Sequence, residues 1–125
     1  MQFSRQSRLL RPAEFKQVFN QPQRSSDKCF RILARPNDVQ RHRLGMAIAK
    51  KACPKAVGRN RIKRVVRESF RAHLVGQTVD VTLDFVVMAT AEAAGQGNRV
   101  LSESLSVHWQ QLINKAMRHR VNQPG

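Results

Sequence analysis

Between Lys50 and Arg71 nine cations, Lys50, Lys51, Lys55, Arg59, Arg61, Lys63, Arg64, Arg67 and Arg71, stand against a single acid, Glu68. Guanidinium forks grip phosphate oxygens in pairs, and ammonium groups act as point charges beside them. A segment of this kind suits a polyanion, because each phosphate it neutralises releases condensed counterions. The whole chain of 125 residues carries 23 Lys and Arg against 8 Asp and Glu, a net charge of +15. All of that excess lies in residues 1–71; residues 72–125 hold four cations and four acids. A membrane surface is the weaker reading of the same charge, since a helix lying on lipid needs a broad face of large apolar groups and Trp is absent from this segment.

The remaining reactive side chains do not form a constellation. Cutting a phosphodiester needs clustered carboxylates for metal ions or a histidine pair for acid and base. Asp80 and Asp84 are the only close carboxylates, four residues apart at the expected edge of a strand, where solvation explains them. His42, His73, His108 and His119 are scattered, with no evident partner for His73 or His108. Cys29 and Cys53 are far apart and belong to no Cys-x-x-Cys pair, so reduced structural thiols are expected rather than a disulfide or a zinc site. Neither a catalytic residue nor a metal ligand is assigned to the chain itself.

The periodicity of the chain indicates what must position the cations. Pro12 suits a first helical position, and Phe15, Val18 and Phe19 follow on one helix face before Asn20 and Pro22, which predicts a helix over 12–20 with a poor N-cap in Arg11. Residues 28–35 alternate, with Phe30, Ile32 and Ala34 on one face and Cys29, Arg31, Leu33 and Arg35 on the other, ending in a turn at Pro36-Asn37-Asp38. Residues 43–49 alternate Leu44, Met46 and Ile48 with small residues, and the two runs are expected to pair as a hairpin. From Lys55 to His73, Ile62, Val66 and Phe70 recur every four residues while Arg59, Lys63, Arg67 and Arg71 do so on another line. At about 100° per residue this is an amphipathic helix with one face for a core and one for phosphate. Phe85 to Ala89 is a continuous apolar run suited to a strand buried on both faces, Ala91–Gly97 is expected to be a flexible loop, and Leu101, Leu105, Trp109, Leu112 and Ala116 predict a final amphipathic helix over 99–118. The expectation is a single domain over residues 1–120 with a disordered tail over 121–125. Its class is α+β, a small mixed sheet with packed helices in the order α-β-β-α-β-α. No stretch approaches the roughly 18 to 20 apolar residues of a membrane span, and Met1–Arg11 is basic without the apolar run of a secretory signal, so a soluble, cytoplasmic protein is expected.

Gly58-Arg59-Asn60-Arg61-Ile62-Lys63-Arg64, at the head of the basic helix, resembles the Arg-Asn-Arg signature of the bacterial ribonuclease P protein subunit. The likeness extends to Pro12-Ala13-Glu14-Phe15 through Phe19, to the strand ending Ile48-Ala49-Lys50-Lys51, to Asp84-Phe85-Val86-Val87 and to the helix from Asn98, and covers residues 5–116 in the family's order. The resemblance implies a left-handed strand-helix-strand crossover. It also implies a protein that binds a catalytic RNA subunit and precursor tRNA, while the RNA removes the 5′ leader with Mg2+ held by the RNA and the substrate. Lys50, Lys51, Arg59, Asn60, Arg61, Lys63, Arg64, Arg67 and Arg71 are then the expected RNA-binding residues. Arg59 and Arg61 leave the helix about 200° apart, which suggests that one faces RNA while the other braces the fold.

Phe15 and Phe19 on their own fit either a core stripe or a platform on which unpaired bases stack. The resemblance adds a cleft between the first helix and the sheet that receives the leader, with Phe15, Phe19, Arg31 and Leu33 as its expected lining. Some relatives carry an aromatic residue where Arg31 and Leu33 stand here, and many carry Lys or Arg where this chain has Ala89-Thr90-Ala91. A purely structural RNA-binding protein, such as a small ribosomal protein, would share the charge, size and element content. A DNA-binding reading ranks lowest, because no helix-turn-helix or dimerising heptad accompanies the basic helix.

Overall fold

The computed structural model describes residues 10–75 and 80–122. Its elements are α1 (Pro12–Val18), β1 (Gln23–Ser26), β2 (Phe30–Asn37), β3 (Arg43–Ala47), α2 (Ala56–Leu74), β4 (Thr82–Ala89), α3 (Ala91–Ala94) and α4 (Asn98–Asn122). The α+β class is as expected, but the expected order omits β1 and α3. Ala91–Ala94 forms a short helix where a flexible loop was expected. The last helix continues to Asn122, into the segment expected to be a tail, and residues 123–125 lie outside the described ones, as do 1–9 at the basic N-terminus.

The sheet order is β1-β2-β4-β3. β2 and β3 therefore do not form the expected hairpin: β4 lies between them, antiparallel to β2 (Phe30↔Ala89 through Asn37↔Thr82) and parallel to β3 (Arg43↔Asp84 through Ala47↔Met88). The physical reason is the composition of β4. Leu83, Phe85, Val86 and Val87 are all fully buried, so this strand needs cover on both faces and a neighbour on both sides. The hairpin is made instead by β1 and β2, and Asp27 turns it: its Oδ1 accepts from the amides of Cys29 and Phe30, both at 2.8 Å, and its own amide donates to the Phe30 carbonyl at 2.9 Å. β2 also runs through Pro36, the expected turn. β1 reaches only to Ala34, so the edge beside Pro36 is free and a missing N–H is tolerated there.

Strand alternation divides the core into two layers. Phe30, Ile32, Leu44, Leu83, Phe85 and Val87 face α2 and α4, where they meet Ile62, Val66, Phe70, Leu101, Leu105, Trp109 and Leu112. Phe70, Phe85 and Trp109 meet edge to face with centroids 5.2–6.2 Å apart, and the Trp109 indole donates to Ser69 Oγ at 2.9 Å. Cys29, placed by the alternation on the opposite side, belongs to this main core because it precedes the first paired residue. On the other face Leu33 and Val86 meet Leu10 and Val18, with Phe15 and Met88 packed against them. The layers are thus α1, the sheet, then α2 with α4.

Candidate nucleic-acid interface

The first candidate surface is the solvent side of α2 and the turn before it. Ile62, Val65, Val66, Ser69, Phe70 and Leu74 are buried, which turns Asn60, Arg64, Arg67 and Arg71 outward. Lys50 and Lys51 are exposed in the turn that follows β3, where the amides of Ala52 and Cys53 close back on the Ala49 carbonyl. Among the described residues, Lys50, Lys51, Lys63, Arg64, Arg67 and Arg71 make no ion pair or side-chain hydrogen bond. Arg59 and Arg61 differ from them. Arg59 Nη1 donates to the carbonyls of Cys53 (2.9 Å) and Pro54 (2.8 Å), and Arg61 donates to Asn98 Oδ1 (2.7 Å) and the Ala94 carbonyl (3.4 Å). Both arginines of the Arg-Asn-Arg run therefore brace the fold, one toward the preceding turn and the other toward α3 and the start of α4. Gly58 fits beneath this turn because a Cβ there would lie 2.8 Å from Cys53 Sγ.

The second candidate is a cleft of about 510 Å³ between the end of α1 and the sheet, lined by Phe19, Arg24, Ser26, Arg31, Leu33 and Met88. Three of the four residues expected there line it. Phe19 is 52% exposed, Arg31 is exposed and Leu33 forms a buried floor. Phe15 lies deeper: it is half-buried with its ring against Gly45, where a Cβ would come within 2.5 Å of Phe15 Cζ. Arg24 and Ser26 escaped the sequence reading because the Gln-Arg-Ser-Ser run of β1 has no apolar alternation, and Met88, opposite Arg31, because it falls within the continuous apolar run of β4. Their cross-strand register carries them here: Arg24 is opposite Leu33 and Ser26 opposite Arg31.

Two polar networks hold the walls of the cleft. Arg43 reaches Asp84 with two bonds (Nε–Oδ1 2.7 Å, Nη2–Oδ2 2.8 Å) and Glu14 with Nη1, while Asn37 Nδ2 adds a third donor to Asp84 at 2.7 Å. β4 begins two residues before Asp84, so this carboxylate is buried inside the strand rather than solvated at its edge. The Glu14 carboxylate also accepts from the Arg11 amide at 2.6 Å and so completes one half of a capping box that Arg11 cannot complete. Arg35 donates to the Gln17 and Asn20 carbonyls, both at 2.9 Å, and closes the end of α1.

The second network pins β1 to α4. Ser25 Oγ lies 2.6 Å from His108 Nδ1 and 2.7 Å from Gln111 Oε1, and His108 Nε2 lies 3.1 Å from Asp27 Oδ2, to which Ser104 also donates. His108 thus has partners, all of them distant in sequence. These are the residue types of a hydrolytic triad, yet Ser25 and His108 are buried between β1 and α4, which makes the group a structural pin. Burial alone would raise the Asp27 pKa; the bonds from Ser104, the Phe30 and Cys29 amides and His108 outweigh it and lower the pKa from 3.8 to about 2. Elsewhere His42 is buried, accepts from the Leu83 amide at 3.0 Å and has its pKa lowered by burial, while burial pushes the Cys29 thiol up. Thr90 stands in the Ala89-Thr90-Ala91 stretch, which carries no cation. It binds the β1–β2 turn, through its amide to the Cys29 carbonyl (2.9 Å) and its hydroxyl to the carbonyls of Lys28 and Cys29. Among the described residues no three His, Cys, Asp or Glu side chains come together to hold a metal ion, and no helix is long and apolar enough to cross a membrane.

The cations and the cleft are set on the scaffold of a known family, whose model, Ribonuclease P, matches residues 3–113. The chain belongs to the ribonuclease P protein family. It is 48% identical over 107 residues to the ribonuclease P protein component of Methylococcus capsulatus, covering 86% of this chain and 81% of that one. To the Pasteurella multocida component it is 45% identical over 118 residues, covering 94% and 97%. Among solved structures, the Staphylococcus aureus RNase P protein superposes with a TM-score of 0.71 at 27% identity, covering 82% of this chain and 92% of that one. The Thermotoga maritima protein does so at 0.68 and 26%, covering 85% and 96%. As a ribonuclease P protein the chain is part of an endoribonuclease ribonucleoprotein, and its partner is RNA.

Proposed function

We propose that the chain binds the catalytic RNA subunit of ribonuclease P through Lys50, Lys51, Lys63, Arg64, Arg67 and Arg71, with Asn60 at the head of the same surface and Arg59 and Arg61 bracing the helix that carries it. It receives the 5′ leader of precursor tRNA in the cleft of Phe19, Arg31 and Leu33, in the cytoplasm. The observation that carries this reading is the row of cations on α2 with no partner among the described residues, on the side of the helix turned away from the core. Unneutralised charge of one sign on a rigid helix is a phosphate-binding surface awaiting its anion.

The cleft offers a half-exposed aromatic face over an apolar floor with a guanidinium beside it. That is a grip on unpaired bases indifferent to their identity, as a processing enzyme with many precursors requires. Phe15 supports the floor from below rather than stacking. In this proposal the RNA performs the hydrolysis. Asp84, buried under Arg43 and Asn37, and Asp27, exposed but bound by two amides, are spent on the fold, a donor set that does not fit a protein-held magnesium ion. The ion implied by the family is assigned to the RNA and the scissile phosphate.

Reconstitution tests the proposal. The chain mixed with the catalytic RNA should restore 5′ cleavage of precursor tRNA at low Mg2+; binding without any gain in turnover would fit a purely structural RNA-binding protein instead. Phe19→Ala should weaken the holoenzyme's affinity for precursors with leaders and leave mature tRNA unchanged. A loss shared equally by both would return Phe19 to a role in packing.

A further inference from the structure

The cleft is closed on one side and open on the other. Toward β3, α1 is fastened by the Arg43–Glu14 ion pair and by the Leu10 amide on the Leu44 carbonyl (3.0 Å), and Phe15 lies on Gly45. Toward β1 nothing comparable crosses it among the described residues, and Phe19, Arg24 and Arg31 border the opening. β1 is the edge strand, and beneath that edge lies α4, whose Lys115 Nζ donates to the Arg24 carbonyl at 2.5 Å. Arg118 is exposed and follows three residues on, on the line of α4 adjoining that of Lys115.

This edge is cationic without compensation. Residues 15–37 contain one acid, Asp27, which is engaged by two amides and by Ser104, and residues 104–122 contain none. Arg24 and Arg31 are diagonal neighbours on one face of the hairpin, roughly 7–8 Å apart at Cα, and neither guanidinium has a hydrogen bond or ion pair among the described residues. Like charges so placed destabilise a sheet, and a local cost with no local gain marks a surface built for an anion. α2 does not border this edge; the helix held against β1 is α4, through Ser25–His108, Ser25–Gln111 and Lys115–Arg24.

We infer that Arg24 and Arg118 continue the cleft as a path for single-stranded RNA backbone, which carries the leader from Arg31 over the β1 edge to the last turns of α4. The inference rests on the cleft being the leader site. It assigns the path to leader nucleotides upstream of those stacked on Phe19. Lys115 acts as a positioning residue that joins the two halves of the path.

The test uses holoenzyme reconstituted with the catalytic RNA and precursors whose leaders lengthen one nucleotide at a time, compared with holoenzymes carrying Arg24→Gln, Arg118→Gln or, as a control, Arg99→Gln. Arg99 lies at the far end of α4, paired with Glu103. The unaltered holoenzyme should keep gaining affinity after the cleft is filled. Arg24→Gln and Arg118→Gln should stop that later gain and reduce the salt slope by roughly 0.7 for each phosphate no longer neutralised, with Tm no lower; Arg118→Gln, outside the cleft lining, should leave the affinity for short leaders unchanged, and Arg99→Gln should alter nothing. An equal loss for every leader length, mature tRNA included, would overturn the path in favour of folded RNA at this edge. No loss at all would overturn it too and leave the charges as guards against edge-to-edge pairing. A holoenzyme that gains nothing from any leader would sink the cleft reading and the path together; gain from the first nucleotides that Arg24→Gln leaves intact at every later one would remove the path alone.

Discussion

Gly45 shows how closely the cleft depends on single residues. Its lack of a side chain lets Phe15 lie flat on β3, and Phe15 holds α1 at the height that leaves Phe19 over the cleft. Gly45→Ala inserts a methyl group where the ring now sits, within 2.5 Å of Phe15 Cζ, so the ring must move and α1 with it. Overpacking of this kind costs about 1–3 kcal/mol; thermal unfolding should show that loss, and leader affinity should fall with it. Asp27 gives a prediction of a different type. Its pKa is lowered on folding, so its contribution to stability is complete above 3.8 and is lost as the pH falls from there through about 2. Denaturant midpoints of the protein and of Asp27→Asn should differ at neutral pH and converge across that window. His42, also depressed, adds an earlier loss that begins as the pH falls through 6.5, and this loss should persist in Asp27→Asn.

At the scale of elements, α2 separates arginines of identical chemistry into two kinds. Arg61 ties α2 to Ala94 and Asn98, whereas Arg64 on the outer face has no partner among the described residues. Arg64→Ala should reduce the salt slope of RNA binding by roughly 0.7 to 0.9 and leave Tm unchanged, while Arg61→Ala should lower stability by about 1 kcal/mol by removing the bonds to α3 and α4. Equal stability in the two variants would show that the Arg61 bonds contribute nothing in solution. Periodicity made α2, α4 and β4 legible in advance, since each buries a face large enough to impose its period on the residue types. The same reasoning could not find β1. Gln23-Arg24-Ser25-Ser26 is polar throughout and is a strand because Ser25 meets His108 and Gln111, more than eighty residues away. It also misjudged the sheet order. Alternation shows that a strand has two faces, but it carries no information on which strand lies beside which, and the central place of β4 follows only once both of its faces must be covered. The division of Arg59 and Arg61 from the free cations was half legible: helix geometry set one of the two to brace the fold, but that both do so depends on carbonyls that only the folded turn and α3 present.

For the whole molecule, the arrangement of charge decides what the protein contributes to a ribonucleoprotein. The balanced segment 72–125 supplies the central strand and the core helix, while residues 1–71 carry the excess of +15, their described cations lying on both faces of the sheet. Two RNA molecules brought to such a body would each repel the other through their phosphates, and the cations between them offset that repulsion in the same way that added salt or divalent ions do. The protein and Mg2+ should therefore substitute for one another in the electrostatic part of assembly. Omitting the protein from a reconstituted reaction is expected to cost most activity at low Mg2+ and to be partly rescued as Mg2+ rises, with the rescue appearing in the affinity for precursor tRNA rather than in the rate of the bound complex. A charge-neutralised Arg64→Gln, Arg67→Gln, Arg71→Gln variant should lie between the full protein and its absence along the same Mg2+ titration. An equal loss at every Mg2+ concentration would contradict the electrostatic account and require the protein to shape the RNA site itself.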